Sequence, residues 1–131
     1  MIDPRKIVPA LLVFTFAALA LRGKNVALAT YCDQAAGTTL TRAQLATMVK
    51  IIYQAFYGSL FTEDEQVIIH TIGQCNSDAD VYALACAYGN DSPFTHPARD
   101  LFQAVNFYFS TSQIADLNAR LSAKGINVIF I

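Results

Sequence analysis

The sequence predicts an all-α protein in which a hydrophobic N-terminal helix precedes a compact bundle of five helices and a short apolar tail. Three observations lead to this prediction. Residues 7–21 carry no charged side chain. From residue 41 onward, apolar residues recur at intervals of three and four, as on one face of a helix. Capping residues and glycines bound these stretches. We therefore expect a membrane-anchor helix at 1–24, a linker at 25–40 and a helical domain at 41–131.

The composition is rich in apolar residues and poor in charge. Hydrophobic residues make up 54% of the chain and charged residues 15%, a more apolar balance than an ordinary soluble domain has. This excludes a disordered chain and favours contact with lipid or a partner. Residues 25–131 hold five Lys and Arg against nine Asp and Glu. Such a domain lacks the positive surface that binds a phosphate backbone, so we expect no nucleic-acid partner.

The N-terminal apolar run favours a membrane anchor. As a helix, residues 7–21 would extend roughly 22 Å, against about 30 Å for a hydrocarbon core. Long basic side chains on both flanks can reach the headgroups of a slightly thinned bilayer. We expect the anchor to be formed by Ile7, Val8, Leu11, Leu12, Phe14, Phe16, Leu19 and Leu21, with Arg5, Lys6, Arg22 and Lys24 at the two interfaces.

Two other interpretations of this segment stay open. It has the layout of a signal peptide, with Ala27-Leu28-Ala29 as the small-residue cleavage site. Arg22 and Lys24 weigh against that interpretation, because a cleavage region is normally uncharged. A run this short is also typical of a helix buried in protein. The orientation of a membrane helix is left open because both flanks are positive.

The first two helices of the bundle are bounded by polar caps and glycines. Thr41, with Gln44 three residues later, forms a capping-box pattern, and Gly58 ends the helix that follows. Thr62 is predicted to cap the second helix, because acidic residues follow it in the first turn, where the helix dipole favours them. Gly73 ends this helix.

The remaining three helices follow the same rule. Ser77 is expected to cap the third helix, which Gly89 ends. A polar turn then leads to Pro97, which we expect at the first helical position of the fourth helix. Ser110, with a glutamine three residues later, is predicted to cap the fifth helix, which stops at Gly125.

The last six residues, INVIFI, are apolar and rich in β-formers, so they would promote aggregation if they were left exposed. Ile126, Val128 and Phe130 alternate along the chain and can pack on the bundle, which leaves Ile129 and Ile131 for a neighbouring molecule. The aromatic run at 107–109 cannot turn all its rings to one core, so part of it is also expected to meet a partner. The predicted assembly contacts are Phe107, Tyr108, Ile129 and Ile131.

The three cysteines carry no metal-site spacing. Cys32, Cys75 and Cys86 form no C-x-x-C pair and have no nearby histidine set, so we expect no zinc site. We interpret Cys75 and Cys86 as small buried hydrophobic residues. One disulfide with one free thiol is the alternative.

The order of motifs resembles a single annexin repeat, over residues 42–124. The resemblance rests on Gly58, the acidic stretch Thr62-Glu63-Asp64-Glu65, an isoleucine-rich helix, Asp80-Val81-Tyr82-Ala83-Leu84, Ala87-Tyr88-Gly89 and Asp100-Leu101. It implies a five-helix fold. That family binds calcium through its first loop and a distant acid, here Asp100. The loop at 58–62 lacks the second glycine of the family pattern, so we carry over the fold and expect no metal.

We expect no catalytic residues and no cofactor. His70 and His96 have no nucleophile or acid at a suggestive spacing, and the acids at 63–65 and 78–80 lie at helix starts, where capping explains them. The phosphate-loop, metalloprotease and hydrolase motifs are missing from the sequence. The protein is therefore not expected to be an enzyme.

A single annexin-like unit joined to a short membrane helix is similar to small structural proteins of bacteriophages whose virions contain a lipid bilayer. This resemblance implies a non-catalytic, membrane-anchored structural or assembly protein that links a protein shell to a membrane. The expected partners are the lipid membrane and other structural proteins, such as capsid proteins, in a virion membrane or a host cell membrane. The alternative is a secreted or periplasmic helical binding module whose first segment is a signal peptide.

Overall fold

The computed structural model describes residues 24–58, 64–90, 93 and 96–131. Within these ranges the chain forms six helices and no strand, which confirms the all-α class for the described part. The helices are α1 (Lys24–Gln34), α2 (Arg42–Tyr57), α3 (Glu65–Ile72), α4 (Asp78–Tyr88), α5 (Leu101–Tyr108) and α6 (Thr111–Ala123).

The predicted anchor falls outside the described residues. Ile7, Val8, Leu11, Leu12, Phe14, Phe16, Leu19 and Leu21, together with Arg5, Lys6 and Arg22, belong to residues 1–23. Lys24, the last of the flanking cations, is the first residue of α1. Among the helices of the described ranges, none combines the length and apolar character that a membrane span requires.

Three helix starts follow the sequence prediction. At α2, the Thr41 hydroxyl accepts from the Gln44 N–H at 3.1 Å, while the Gln44 carboxamide accepts from the Thr41 N–H at 2.8 Å. Ser110 and its glutamine form the same reciprocal pair at α6. Ser77 accepts from the Asp80 N–H at the start of α4. These caps form because each satisfies an N–H group that the first helical turn leaves without a backbone acceptor.

Two predicted helix starts were wrong. Helix α3 is capped by Asp64, whose carboxylate accepts from the Val67 N–H at 3.3 Å, and Thr62 lies outside the described residues. Helix α5 starts at Leu101 with Asp100 as its cap, four residues beyond the predicted start at Pro97. The carboxylates decide both starts because each gives a free N–H an acceptor, which proline cannot do.

Helix α1 occupies most of the segment that the sequence analysis treats as a linker. Its sequence has no continuous apolar stripe, so periodicity gives no signal for it. Contacts with α4 hold it instead. A disulfide joins Cys32 to Cys86, with 4.9 Å between their Cα atoms. The interpretation of Cys86 as a simple hydrophobic residue was therefore wrong, whereas Cys75 is free and buried as expected.

Helix α4 lies in the middle of the bundle and packs against α1, α2 and α5. Its small side chains, including the buried Ala83 and Ala85, let neighbouring helices approach from several sides. Val81, Leu84 and Tyr88 join them in the core. The other buried apolar residues are Met48, Ile52, Phe56, Ile68, Ile69, Ile72, Cys75, Leu101, Ala104, Val105, Phe109, Leu117, Leu121, Ile126, Val128 and Phe130.

A buried carboxylate holds the turn that connects α1 to α2. Asp80 accepts from the Thr38 hydroxyl at 2.7 Å and the Thr39 N–H at 3.1 Å, and its other oxygen accepts from the Asn76 N–H at 2.9 Å. Burial by itself would raise the pKa of Asp80, but these hydrogen bonds, with that from Ser77, outweigh it and lower the pKa below its ordinary value. Asp80 is therefore ionised in the folded protein at neutral pH.

Asp80→Asn is expected to lower the free energy of unfolding by roughly 2–3 kcal/mol at pH 7, because an amide nitrogen would face a backbone N–H in a buried site. Chemical denaturation followed by circular dichroism measures this change. The control is Asp116→Asn, whose exposed partner Arg120 lies one turn away, and it should change stability by no more than about 0.5 kcal/mol.

The wild-type protein and Asp80→Asn also test the charge of Asp80. Since its folded pKa is below the unfolded value of about 3.9, its ionised form contributes stability above that pH and loses it as the pH falls through the folded pKa. The stability difference between wild type and Asp80→Asn should therefore shrink below about pH 4. A difference that stays constant on acidification would contradict the assigned role.

Candidate functional site

The C-terminal tail, residues 126–131, shows the alternation that the sequence predicts. Ile126, Val128 and Phe130 are buried, whereas Ile129 is 59% exposed and Ile131 is 87% exposed. The tail forms neither helix nor turn. Alternate side chains of an extended chain point to opposite faces, so one face of the tail completes the core and the other faces outward. The role of the two outward isoleucines in assembly stays a prediction.

Side chains of α6 and α4 hold the tail through its backbone. The Asn118 carboxamide donates to the Phe130 carbonyl and accepts from the Phe130 N–H, both at 2.8 Å. The Asn127 N–H donates to an oxygen of Asp78 at 2.7 Å, and the Ile126 N–H donates to the Leu121 carbonyl at 3.1 Å. Asn118 therefore offers Phe130 the same donor and acceptor that a neighbouring β-strand would offer.

Aromatic rings connect the tail to α1. The Phe130 ring stacks on Phe102 of α5 with 4.6 Å between centroids. Phe102 also meets Tyr31 of α1 at 5.0 Å, and Tyr82 of α4 lies 6.2 Å from Tyr31. Burial, followed by the charge of Asp100 and a hydrogen bond to it, raises the pKa of Tyr31. One half-buried ring, Phe102, therefore supports both the tail and the first helix.

The structure separates the two aromatic residues that were predicted together as assembly contacts. Phe107 is 62% exposed, and the Arg99 guanidinium lies 3.7 Å above its ring centroid. Tyr108 is half-buried and packs on Phe56, with 5.2 Å between the ring centroids. Phe107 thus keeps an outward surface, while Tyr108 is mainly part of the core.

Three tyrosine side chains, those of Tyr57, Tyr88 and Tyr108, lie close to one another. The hydroxyls of Tyr57, Tyr88 and Tyr108 are buried, and in the described part of the chain none of them has a partner at hydrogen-bond geometry. Burial, with the neighbouring Tyr108, raises the pKa of Tyr57 to about 12, and burial likewise raises the pKa of Tyr88. The phenols of Tyr57 and Tyr88 therefore stay protonated at neutral pH and are poor general bases.

The groups that could carry acid–base or thiol chemistry make structural contacts. His96 packs its ring on Tyr57 at 5.0 Å, and His70 shares a hydrogen bond with Gln74. Burial raises the pKa of the Cys75 thiol to about 12, so little thiolate forms at neutral pH.

The described acids also have structural roles. Asp64 and Asp100 cap helices, and Asp80 ties the α1–α2 turn to α4. Across the described ranges, no three His, Cys, Asp or Glu side chains come together as a metal site would require. The arrangement is suited to holding segments together.

No protein-family model, curated protein or solved structure matches this chain.

Sequence reasoning missed two residues that build the tail surface. Asn118 lies inside α6, where asparagine is a poor helix former, and such a residue often has a tertiary hydrogen bond. That signal could have identified it. Phe102 gives no comparable signal, because nothing in its spacing from other apolar residues indicates that it contacts both α1 and the tail.

Asn118→Ala is expected to lower the free energy of unfolding by roughly 1–3 kcal/mol, because the backbone N–H and C=O of Phe130 lose their partners in a partly buried site. Hydrogen exchange at Phe130 should become faster before the rest of the domain is affected. Asn106→Ala, at an exposed position of α5, is the control. Equal stability of the two variants would show that Asn118 does not hold the tail.

Proposed function

We propose that this protein is a non-catalytic structural protein, held in a membrane by residues 7–21, whose helical head assembles with other proteins. The observation that carries the proposal is the attachment of α1. This helix begins at Lys24, three residues after the apolar run, and is covalently fixed to the central helix through Cys32 and Cys86. The chain that follows the apolar run is thus part of the folded head.

Several interactions support a firm attachment. Besides the disulfide, the Tyr31 ring packs on Phe102, and Thr38 and Thr39 donate to the buried Asp80. A flexible linker would let the head sample many orientations. Here, a constraint on residues 7–21 also limits the position of the head, because α1 is bound into it. A protein that links a membrane to a shell or complex needs such a connection.

The disulfide also bears on the compartment. Cys32 is exposed and Cys86 is half-buried, and bonds of this kind persist where the surroundings are oxidising. Folding of the head outside the reducing cytosol is consistent with an apolar segment that directs the chain to a membrane. We propose an annexin-like bundle in a lipid-containing virion or a host cell membrane, with lipid and structural proteins such as capsid proteins as partners.

The same disulfide favours a second candidate, a secreted or periplasmic binding module with a cleaved signal peptide. Cleavage after Ala29 would remove the first turns of α1 but leave Tyr31 and Cys32 on the domain. The attachment to Cys86 is therefore compatible with either fate of the N-terminal segment. In this candidate the partner is a ligand of the head, and no lipid contact is needed.

Detergent phase partitioning with mass measurement of the full chain separates the two candidates. We expect the uncleaved chain in the detergent phase. Leu12→Asp should move it to the aqueous phase, because a carboxylate at the centre of a span costs roughly 2.5–3.5 kcal/mol. Ala36→Asp, at an exposed position outside both the apolar run and the predicted cleavage site, is the matched control and should stay with detergent. A mature chain that starts at Thr30 in the aqueous phase would establish the second candidate.

A second experiment tests the attachment of α1. Replacing Cys32 and Cys86 by serine removes a cross-link between residues 54 positions apart, which should lower the free energy of unfolding by up to roughly 4 kcal/mol. Amide hydrogens of α1 should exchange faster, while detergent partitioning stays unchanged. Cys75→Ser, at the free and buried thiol, is the control for the loss of a sulfur. Unchanged exchange in α1 would show that the disulfide does not fix this helix.

A further inference from the structure

The tail has one edge that is occupied and one that is partly open. The backbone N–H and C=O of Phe130 both bind Asn118. In an extended chain these groups point to opposite sides at successive residues. The groups of Ile129 and Ile131 therefore point away from Asn118, to the side on which Asn127 meets Asp78. Within the described chain no residue hydrogen-bonds the backbone of either isoleucine.

An open edge of this kind has a defined chemical complement. It offers alternating donors and acceptors that another extended chain can satisfy, as in strand addition to a sheet edge. The exposed side chains of Ile129 and Ile131 favour apolar side chains on that second chain. The tail carries no charged side chain, so a second tail meets no like-charge repulsion from side chains along this edge.

The tail is complementary to itself in one antiparallel register. If Ile129 of one copy lies opposite Ile131 of the other, the two-fold axis places Ile131 of the first opposite Ile129 of the second. Both are then hydrogen-bonded pairs, and all four isoleucine side chains share one face. The bond from Asn127 to Asp78 is left intact. A two-fold contact closes on itself, so it gives a dimer and not a filament.

We propose that two copies of this protein pair through their C-terminal tails as a two-stranded antiparallel ribbon, with Ile129 of each opposite Ile131 of the other. The inference deepens the proposed assembly function and rests on it. The ribbon is short compared with a standard interface of about 1,600 Å², so the dimer is weak in dilute solution. Anchoring two copies in one membrane raises their effective concentration and favours pairing.

The test is the dimer dissociation constant of the full chain in detergent, measured by sedimentation across a concentration series with micelles in excess. Ile129→Pro removes an N–H that bonds no described residue, so the fold should be retained, as circular dichroism can verify. Ile129→Ala removes side chain and keeps the N–H. Proline should weaken the dimer about tenfold more than alanine, because the ribbon loses one hydrogen bond from each copy.

Any result other than a dimer that proline weakens more than alanine contradicts the proposal. A wild-type chain that stays monomeric throughout the series excludes self-pairing and leaves a different protein as the occupant of the edge. Equal effects of proline and alanine exclude backbone pairing, and a dimer that neither substitution weakens uses another surface. Detergent partitioning of the same proteins reports on the anchor separately, so failure of the ribbon and failure of the proposed function are distinguishable.

Cross-linking tests the register. In the proposed ribbon, a chain with Ile129→Cys should be joined by a short bismaleimide to a chain with Ile131→Cys more efficiently than to a second Ile129→Cys chain. Directly opposed Cα atoms in a hydrogen-bonded pair are about 5.5 Å apart, whereas diagonal neighbours are farther. The native Cys75 is buried and its pKa is raised to about 12, so it competes little. Preferred joining of two Ile129→Cys chains would overturn this register.

Discussion

The carboxylate of Asp80 is fully buried at the first turn of α4, where it accepts hydrogen bonds from Thr38, Thr39 and Asn76. A buried charge without such partners would cost several kcal/mol, so the turn between α1 and α2 has to stay where it supplies them. These bonds tie the segment between α1 and α2 to the start of α4, and α1 packs beside α4. The disulfide at Cys86 then fixes the arrangement covalently, and the burial of α4 from several sides follows from it.

The first helix and the last residues are held by a shared set of rings. Phe102 lies between Tyr31 of α1 and Phe130 of the tail, so the packing of one end of the chain depends on the packing of the other. Under the proposed function, in which the chain is anchored near α1 and assembles through its tail, this contact would connect the two functional ends. Dispersion between aromatic rings is insensitive to pH, and it therefore adds a constraint that differs in kind from the charge of Asp80.

The tail is rich in residues that favour β-strands, although the rest of the described domain is helical. Asn118, Asp78 and the backbone of Leu121 satisfy part of its hydrogen-bonding capacity, while three of its side chains complete the core. The remaining capacity includes the backbone groups of Ile129 and Ile131, which are also the most exposed apolar residues of the tail. Apolar side chains and open backbone groups at the same positions are typical of an edge that receives another chain. Within the described residues, this coincidence supports the tail as the candidate surface for the proposed assembly.

The sequence by itself determined the features that depend on neighbours within about four residues. The caps at Thr41, Ser77 and Ser110 and the alternation of the tail were predictable, because helix and strand periods are local. Only the tertiary structure decided that α1 is helical, that Cys32 pairs with Cys86, and that Phe107 faces outward while Tyr108 packs inward. Those outcomes depend on which distant segments contact each other. Helix α1 in addition has no apolar residues at helical spacing that would predict it. The outward position of Ile129 and Ile131 was therefore predictable from the sequence, whereas the two hydrogen bonds between Asn118 and Phe130 depend on how α6 and the tail meet in the fold.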